Sequence, residues 1–394
     1  MVRWMAFFWG LMLFMPVGMN YLAFVLLLVV MLAQGQVQGR VLRLRQSPAW
    51  WPGVFFLGWT LVVLAIQPVY YPETAANLFH GLRIVATLTI ALALTRDEAS
   101  WALRGFVIGG LASLLIIAIH LLANLPPSVI SISLVRYGGN KSISNAVLFS
   151  LLGAWAFIML LETRNMRHRV LALLLTVACV AVIVWVLPSR TSLLIMVLSL
   201  LAASIHRLRR HRLRAAAAIA AVFLSFTLLV AMQPKMQERF ALGLIELQQA
   251  RSGVVTNSSW GVRYTMNELT SNMMLERPLT GWGIGSWNRL WTERAPENVR
   301  GFNMPHNDYL WMGAQAGLPG LLGMLALALS GLGAAWQRRG PAGQLGLVAV
   351  LTLAFAAVVN SALRDAAIGL SLIFVVGVLL RLAISADEPD PPGG

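Results

Sequence analysis

The chain has 394 residues, 58% of them apolar and 11% charged, with a formal charge of +15. Soluble domains carry about 25% charged residues, so this composition excludes an ordinary soluble enzyme and indicates an integral membrane protein. The cations fall in short stretches between apolar runs, where membrane topology accounts for them and nucleic acid is not required.

Apolar stretches near the roughly 20 residues that cross a hydrocarbon core recur along almost the whole length. Backbone groups in such stretches must pair internally, so the spans are helices. They are drawn at residues 2–15, 18–34, 51–68, 78–95, 101–122, 143–162, 170–188, 190–206, 214–232, 309–335, 343–363 and 366–384. About twelve transmembrane helices make an all-α, polytopic membrane fold. The start lacks a small-residue cleavage motif and reads as retained helix. Residues 4–33 hold no charge and fit either one tilted helix of about 45 Å or two shorter spans. Pro16 and Gly18 favour a break.

Arginines cluster in alternate loops: Arg40, Arg43 and Arg45; Arg96 and Arg104; Arg164, Arg167 and Arg169; Arg207, Arg209, Arg210, Arg212 and Arg214; Arg338 and Arg339. These loops define the cytoplasmic face, and two passes over residues 2–34 put Arg3 on that face too. The run from His206 to Arg212 could meet anionic headgroups, yet as a topogenic loop it needs no partner. Four parts follow: spans one to nine at 1–232, an outer loop at 233–308, the last three spans at 309–385, and an acidic, disordered cytoplasmic tail at 386–394. The only cysteine, Cys179, lies in an apolar run, which excludes an internal disulfide.

The outer face carries a loop at 123–142, the tight link Pro188-Ser189-Arg190-Thr191, and the long loop. Within the last, Asn257, Ser258 and Ser259 offer an N-cap. Val262, Met266, Leu269 and Met273 then recur at helical spacing, and Pro278 ends the helix. The glycines of Leu279-Thr280-Gly281-Trp282-Gly283-Ile284-Gly285 suggest a close-packed turn. They follow no strand and precede no lysine, unlike a phosphate-binding loop.

His306 is one of six histidines and the only one in the long outer loop. Its imidazole can take a proton beside the bilayer, with Asn307 a possible orienting partner. Arg190 opens a span at the outer end, where it either snorkels to the interface or offers a fork for phosphate oxygens. Arg263, on the loop helix, is either solvated, paired with Glu268 or Asn267, or a second fork. Arg136 and Lys141 add cations on the same face. The outer acids form no ligand cluster, so neither a metal nor another cofactor is expected.

Ser189-Arg190-Thr191 at a span start, Arg263 on a loop helix, Pro278-Leu279-Thr280-Gly281-Trp282-Gly283, Pro305-His306-Asn307 before the next span, and Gln315-Ala316-Gly317-Leu318-Pro319-Gly320 after it occur in a specific order. The ordered set resembles the O-antigen ligase superfamily. That resemblance implies a GT-C-like glycosyltransferase of the bacterial inner membrane with its active site facing the periplasm. The donor would be an undecaprenyl-diphosphate-linked glycan. The acceptor would be a hydroxyl, in a ligase that of lipid A core oligosaccharide. His306 would activate the acceptor, and Arg190 and Arg263 would bind the diphosphate, with Arg136 and Lys141 in support. One large outer loop favours ligase over repeat-unit polymerase. Protein O-glycosylation and lipid-linked glycan transport stay open, although no internal repeat of the transporter kind is evident.

Overall fold

The computed structural model describes residues 1–387 apart from 129, 137–138, 233 and 253–257, and leaves the side chains of 139–141, 229, 235, 236, 239, 240 and 387 undescribed. Helices fill the described residues, with no strand among them. The first half comprises α1 (Val2–Met12), α2 (Val17–Ala33), α3 (Val37–Arg45), α4 (Trp50–Ile66), α5 (Thr74–Ala93), α6 (Arg96–Ala123), α7 (Ile132–Val135), α8 (Gly139–Glu162) and α9 (Met166–Ala181), which continues into a π turn to Val186. Then come α10 (Arg190–Leu208), α11 (Arg212–Ala231), α12 (Pro234–Arg251), α13 (Ser259–Glu276), α14 (Trp287–Arg294), α15 (Asp308–Gln337), α16 (Gly340–Val359) and α17 (Ala366–Ile384).

Each of the twelve expected apolar segments is helical, in an all-helical, polytopic membrane architecture. Among the described residues eight helices are long and apolar enough to cross a bilayer: α5, α6, α8, α9 with its π turn, α10, α15, α16 and α17. Taken as one broken span, α2 and α3, which meet at 112°, make a ninth. Helix α1 has 11 residues, short of the roughly 20 that cross a hydrocarbon core, whereas α2 and α4, with 17 each, stand at the lower end of the spanning range.

Two helices, not one, occupy residues 2–33. Pro16 is the N-cap of α2. Asn20 turns its amide back to donate to the carbonyls of Met12 and Met15 at 3.0 and 3.1 Å, so the broken end of α1 is satisfied. Trp9 and Phe24 have ring centroids 5.5 Å apart, whereas one continuous helix would separate them by about 22 Å. The two helices are therefore antiparallel. α1 packs on α6 through a glycine seam: a Cβ at Gly105 would sit 2.1 Å from the Phe7 carbonyl, and one at Gly10 would sit 2.1 Å from that of Ala102.

At the centre lies α17, buried on every side from Ile368 to Leu380, as expected for a helix that is apolar all round. Its Phe374 stacks on Trp9 at 3.7 Å. The arginine-rich loops collect at one end of the bundle. There Arg40 is not a surface charge: it is buried and grips Glu98 through two bonds of 2.8 Å. Glu162 takes Arg207 and the Gln344 amide, each at 2.9 Å, and Arg381 donates to the Leu94 carbonyl at 2.7 Å. Alternating chain direction puts the turns at 67–73, 124–136, 187–189 and 360–365, with the segment from α12 to His306, at the opposite end. The expected tail at 386–394 lies, from residue 388 on, outside the described residues.

That segment is fastened to a break in α15. Gly317 has φ 70° and ψ −172°, and Pro319 has no N–H to donate, so the helical ladder is interrupted within an apolar span. Carbonyls so released need partners in a membrane. Those of Ala314 and Gln315 accept from the Trp282 and Gly283 amides at 2.9 and 3.0 Å, and that of Ala316 accepts from the Trp59 indole at 2.7 Å. In return the Leu318 amide donates to the Pro278 carbonyl at 2.7 Å. A Cβ at Gly317 would meet the Leu279 carbonyl at 2.4 Å. Gly317→Ala is expected to destabilise the chain by about 2 kcal/mol or more. The readout is a lower thermal midpoint in detergent with new protease cleavage between residues 277 and 286; an unchanged midpoint would contradict this account of the break.

Candidate active site

Three elements meet where α10 begins, α13 crosses and α16 ends. Ser189 caps α10, its hydroxyl accepting from the Ser192 amide at 3.2 Å, so Arg190 is the first helical residue. Ser258 likewise caps α13 by accepting from the Gly261 amide at 3.2 Å. Asn257, offered with it from the sequence, lies outside the described residues. Val262, Met266 and Met273 of α13 are buried and Leu269 is half-buried. Trp282 donates its indole to the Met273 carbonyl at 2.9 Å and carries Arg277 over its ring at 3.9 Å. Gly281, Gly283 and Gly285 all have positive φ, the close-packed turn that their spacing suggests.

Arg190, Arg263 and His306 line one cavity of about 340 Å³, with Thr191, Trp260, Tyr264 and Asn267. Leu194, Leu247, Val358 and Val359 form its apolar side. Three residues distant along the chain thus share a compartment, polar on one side and aliphatic on the other. Arg136 does not line it and stands exposed at the end of α7; the Lys141 side chain lies outside the described residues. Among the described residues no carboxylate lines the cavity.

Arg190 lies over the Trp260 ring at 5.6 Å, a cation–π contact that orients the guanidinium without neutralising it. Trp260 is fixed from behind: its amide donates to Glu246 at 3.2 Å, and a Cβ at Gly243 would come 3.0 Å from its ring. Arg263 donates to the Ser259 hydroxyl at 2.6 Å, one helical turn back. The Oδ1 of Asn267 is buried without a hydrogen-bond partner among the described residues.

His306 adopts φ 55°, a left-handed conformation that non-glycine residues rarely take and that clusters at functional sites. Its amide donates to the Ser361 hydroxyl at 3.2 Å. Its Nδ1 lies 3.3 Å from Oδ1 of Asn360, the C-cap of α16. With that oxygen as acceptor, Nδ1 carries the proton and Nε2 keeps its lone pair. Asn307, considered from the sequence as the orienting partner, instead caps α15 by accepting from the Leu310 amide at 3.1 Å.

Burial first, then the Arg263 charge, pushes the His306 imidazole down to about 4, with Arg364 acting the same way and the Asn360 hydrogen bond opposing. At neutral pH the ring is therefore uncharged. Arg364, which sequence reasoning missed, donates to the Asn303 carbonyl and lies 5.9 Å over Trp311. It clasps the strand of chain that leads into His306. Burial pulls its own ionisation down, opposed by Asp308, Asp365 and Glu73. Arg83 secures the same turn, donating to the carbonyls of Leu363 and Arg364 at 2.9 and 2.6 Å. One signal for both exists: each is an arginine away from the alternating basic loops, where topology supplies no reason for a cation.

An open groove of about 460 Å³ runs past Glu73, Asn288, Arg289, Arg300 and Phe302 to Asn303, three residues before His306 in the chain. It supplies donors, acceptors and one aromatic face, the surfaces that sugars require.

Residues 175–325 match a family model described as O-antigen ligase. The matched segment contains Arg190, Arg263, the glycine turn and His306, and it stops short of Asn360 and Arg364. No curated protein matches the chain.

A neutral His306 is testable by carbethoxylation with diethyl pyrocarbonate, which requires an unprotonated imidazole. The folded-state value is depressed, so reactivity should persist as pH falls below 6.5 and decline only toward about 4. Arg263→Gln removes a repelling charge and should move the midpoint upward. A wild-type midpoint at 6.5, read by peptide mass spectrometry, would contradict the burial and field described.

Proposed function

We propose that this chain, a member of the O-antigen ligase family as the match over residues 175–325 supports, is a metal-independent inverting glycosyltransferase. It moves a glycan from undecaprenyl diphosphate to a hydroxyl of lipid A core oligosaccharide. Members of the family are ligases or polymerases of the glycosyltransferase kind that use lipid-linked glycans. The observation that carries the reading is the shared cavity: two guanidinium groups and one neutral imidazole, flanked by an aliphatic wall.

The chemistry follows from those groups. The diphosphate is met by the Arg190 and Arg263 forks, whose planar donors suit phosphate oxygens, while the polyprenyl chain runs along Leu194, Leu247 and Val358. The acceptor sugar enters by the groove that ends at Asn303. Nε2 of His306 takes the hydroxyl proton as the oxygen bonds to the anomeric carbon. The bond from that carbon to the diphosphate oxygen breaks, its electron pair stays on the phosphate, and the guanidinium groups stabilise the charge that develops. Attack opposite the leaving group inverts the anomeric centre. No nucleotide is consumed, because the broken bond already links sugar to a good leaving group.

Donor binding also prepares the base. Burial first, and then the Arg263 and Arg364 charges, hold the His306 imidazole at about 4, and a diphosphate offsets the charge part of that depression. His306 then rises toward the range where a general base is effective. The bias of basic loops toward the cytoplasmic side supports a site on the periplasmic side of the inner membrane. One long segment at 233–308, set against the short turn at 124–136, favours ligase over polymerase.

His306→Ala is expected to lower transfer by about 100-fold or more, measured as product formed from lipid-linked glycan and lipid A core without nucleotide, with donor binding retained. Wild-type turnover would remove the base assignment. Arg190→Lys keeps the charge and loses the fork, and should weaken donor binding by about 10-fold; unchanged affinity would leave Arg190 a snorkelling residue. Supplying carrier-linked repeat units in place of lipid A core separates the two family activities: chain growth on the carrier would establish polymerase and overturn ligase.

A further inference from the structure

The basic end of the bundle holds a second cavity, remote from the site above. It measures about 500 Å³ and is lined by Arg207, Arg209, Arg210, His211, Arg214 and Arg339. Its floor is apolar, made of Phe157, Leu161, Leu208 and Ala218. Topogenic arginines need only be present in a loop; they need not converge on one cavity. Here five guanidinium groups from the last turn of α10, the α10–α11 turn, the first turn of α11 and the α15–α16 turn do converge.

Their charge is poorly balanced. Among the described residues one acid approaches this wall, Glu162, and it is already engaged by Arg207 and by the Gln344 amide. Arg209 donates to the Trp336 carbonyl at 2.8 Å and stacks on that ring at 5.6 Å. Arg210, Arg214 and Arg339 are exposed and have no ion-pair partner among the described residues.

Helix ends reinforce the field. α11 and α16, each of 20 residues, begin at this cavity, and neither His211 nor Arg339, their N-caps, closes the first turn with a side chain. Both helices therefore bring partial positive charge and amide donors to the same place as the arginines. An anion with several oxygens is the ligand that satisfies this set. A ligand with an attached apolar portion also covers the Phe157–Leu161 floor, at the level where the spans α8 and α10 end.

We propose that this cavity binds the phosphate headgroup of an anionic membrane lipid. Phosphate oxygens take the arginine forks and the two helix starts, and the glycerol and upper acyl carbons lie on the apolar floor. The volume falls in the range of small-molecule sites. The topogenic role of these arginines stands beside this one.

The test uses the full-length protein reconstituted into vesicles of dioleoylphosphatidylcholine with a minority of dioleoylphosphatidylglycerol. Lipid retained after detergent release is read by native mass spectrometry. Wild-type protein should retain phosphatidylglycerol over phosphatidylcholine. The triple variant Arg210→Gln/Arg214→Gln/Arg339→Gln should lose about 10-fold of that retention. A control, Arg164→Gln/Arg167→Gln/Arg169→Gln, removes equal charge from an exposed stretch that does not line the cavity and should retain the lipid as wild type does. Equal loss in both variants, or in neither, would overturn the proposal. So would inorganic phosphate displacing phosphatidylglycerol at millimolar concentration, since the site would then take its phosphate from solution.

Discussion

Carbonyls released inside an apolar span have few places to go, and this constraint organises the end of the molecule that carries the cavity. The break at Gly317 and Pro319 frees the oxygens of Ala314, Gln315 and Ala316 in a setting without water. The glycine turn around Trp282 and Gly283 and the indole of Trp59 recapture them. A bundle that solves its hydrogen-bond deficit in this way fixes the segment after α13 onto the body of the protein. α13 is fixed with it, through the Trp282 indole on the Met273 carbonyl and the Trp287 indole on Thr270 at 2.9 Å. Arg263 therefore stands opposite His306 because of a defect one helix away.

A second constraint is electrostatic. Arg190, Arg263 and Arg364 gather around His306 while no carboxylate enters the cavity among the described residues. Like charges in a partly desolvated place are costly, and the protein limits the cost by leaving its imidazole uncharged and resting Arg190 against Trp260. An anion placed among these guanidinium groups would lessen the repulsion that Arg263 and Arg364 exert on His306 and raise its proton affinity.

Much of this architecture is legible in the chain of amino acids. Apolar runs locate the helices, because a span must be long and charge-poor. Short polar residues ahead of α10 and α13 mark their starts, since Ser189 and Ser258 supply the first-turn acceptor. Arg190 stands out as a cation at the outer end of an apolar run, and Arg263 and His306 as a cation on the loop helix and the one histidine of the long outer loop; the cavity holds all three. What stays hidden depends on packing across long separations. Asn360 reaches His306 from 54 residues away, and nothing local in Val358-Val359-Asn360-Ser361 signals a partner. Trp260 reads as one more aromatic on a loop helix. Arg40 reads as a surface cation, and its inward turn to Glu98 depends on α3 bending 112° from α2. Span counting by apolar length likewise fails at α1, whose 11 residues end at a turn that the Asn20 amide closes within the bundle.

The left-handed backbone at His306 places a double demand on that position. Its imidazole lies beside Asn360 and its amide meets Ser361 only because φ is positive, so the residue must tolerate a strained dihedral as well as hold a proton acceptor. Branched side chains fail the first demand before the second arises, whereas asparagine meets the dihedral without the basic nitrogen. Geometry and chemistry at one residue can therefore be separated by the choice of replacement, which few histidines on ordinary helices permit.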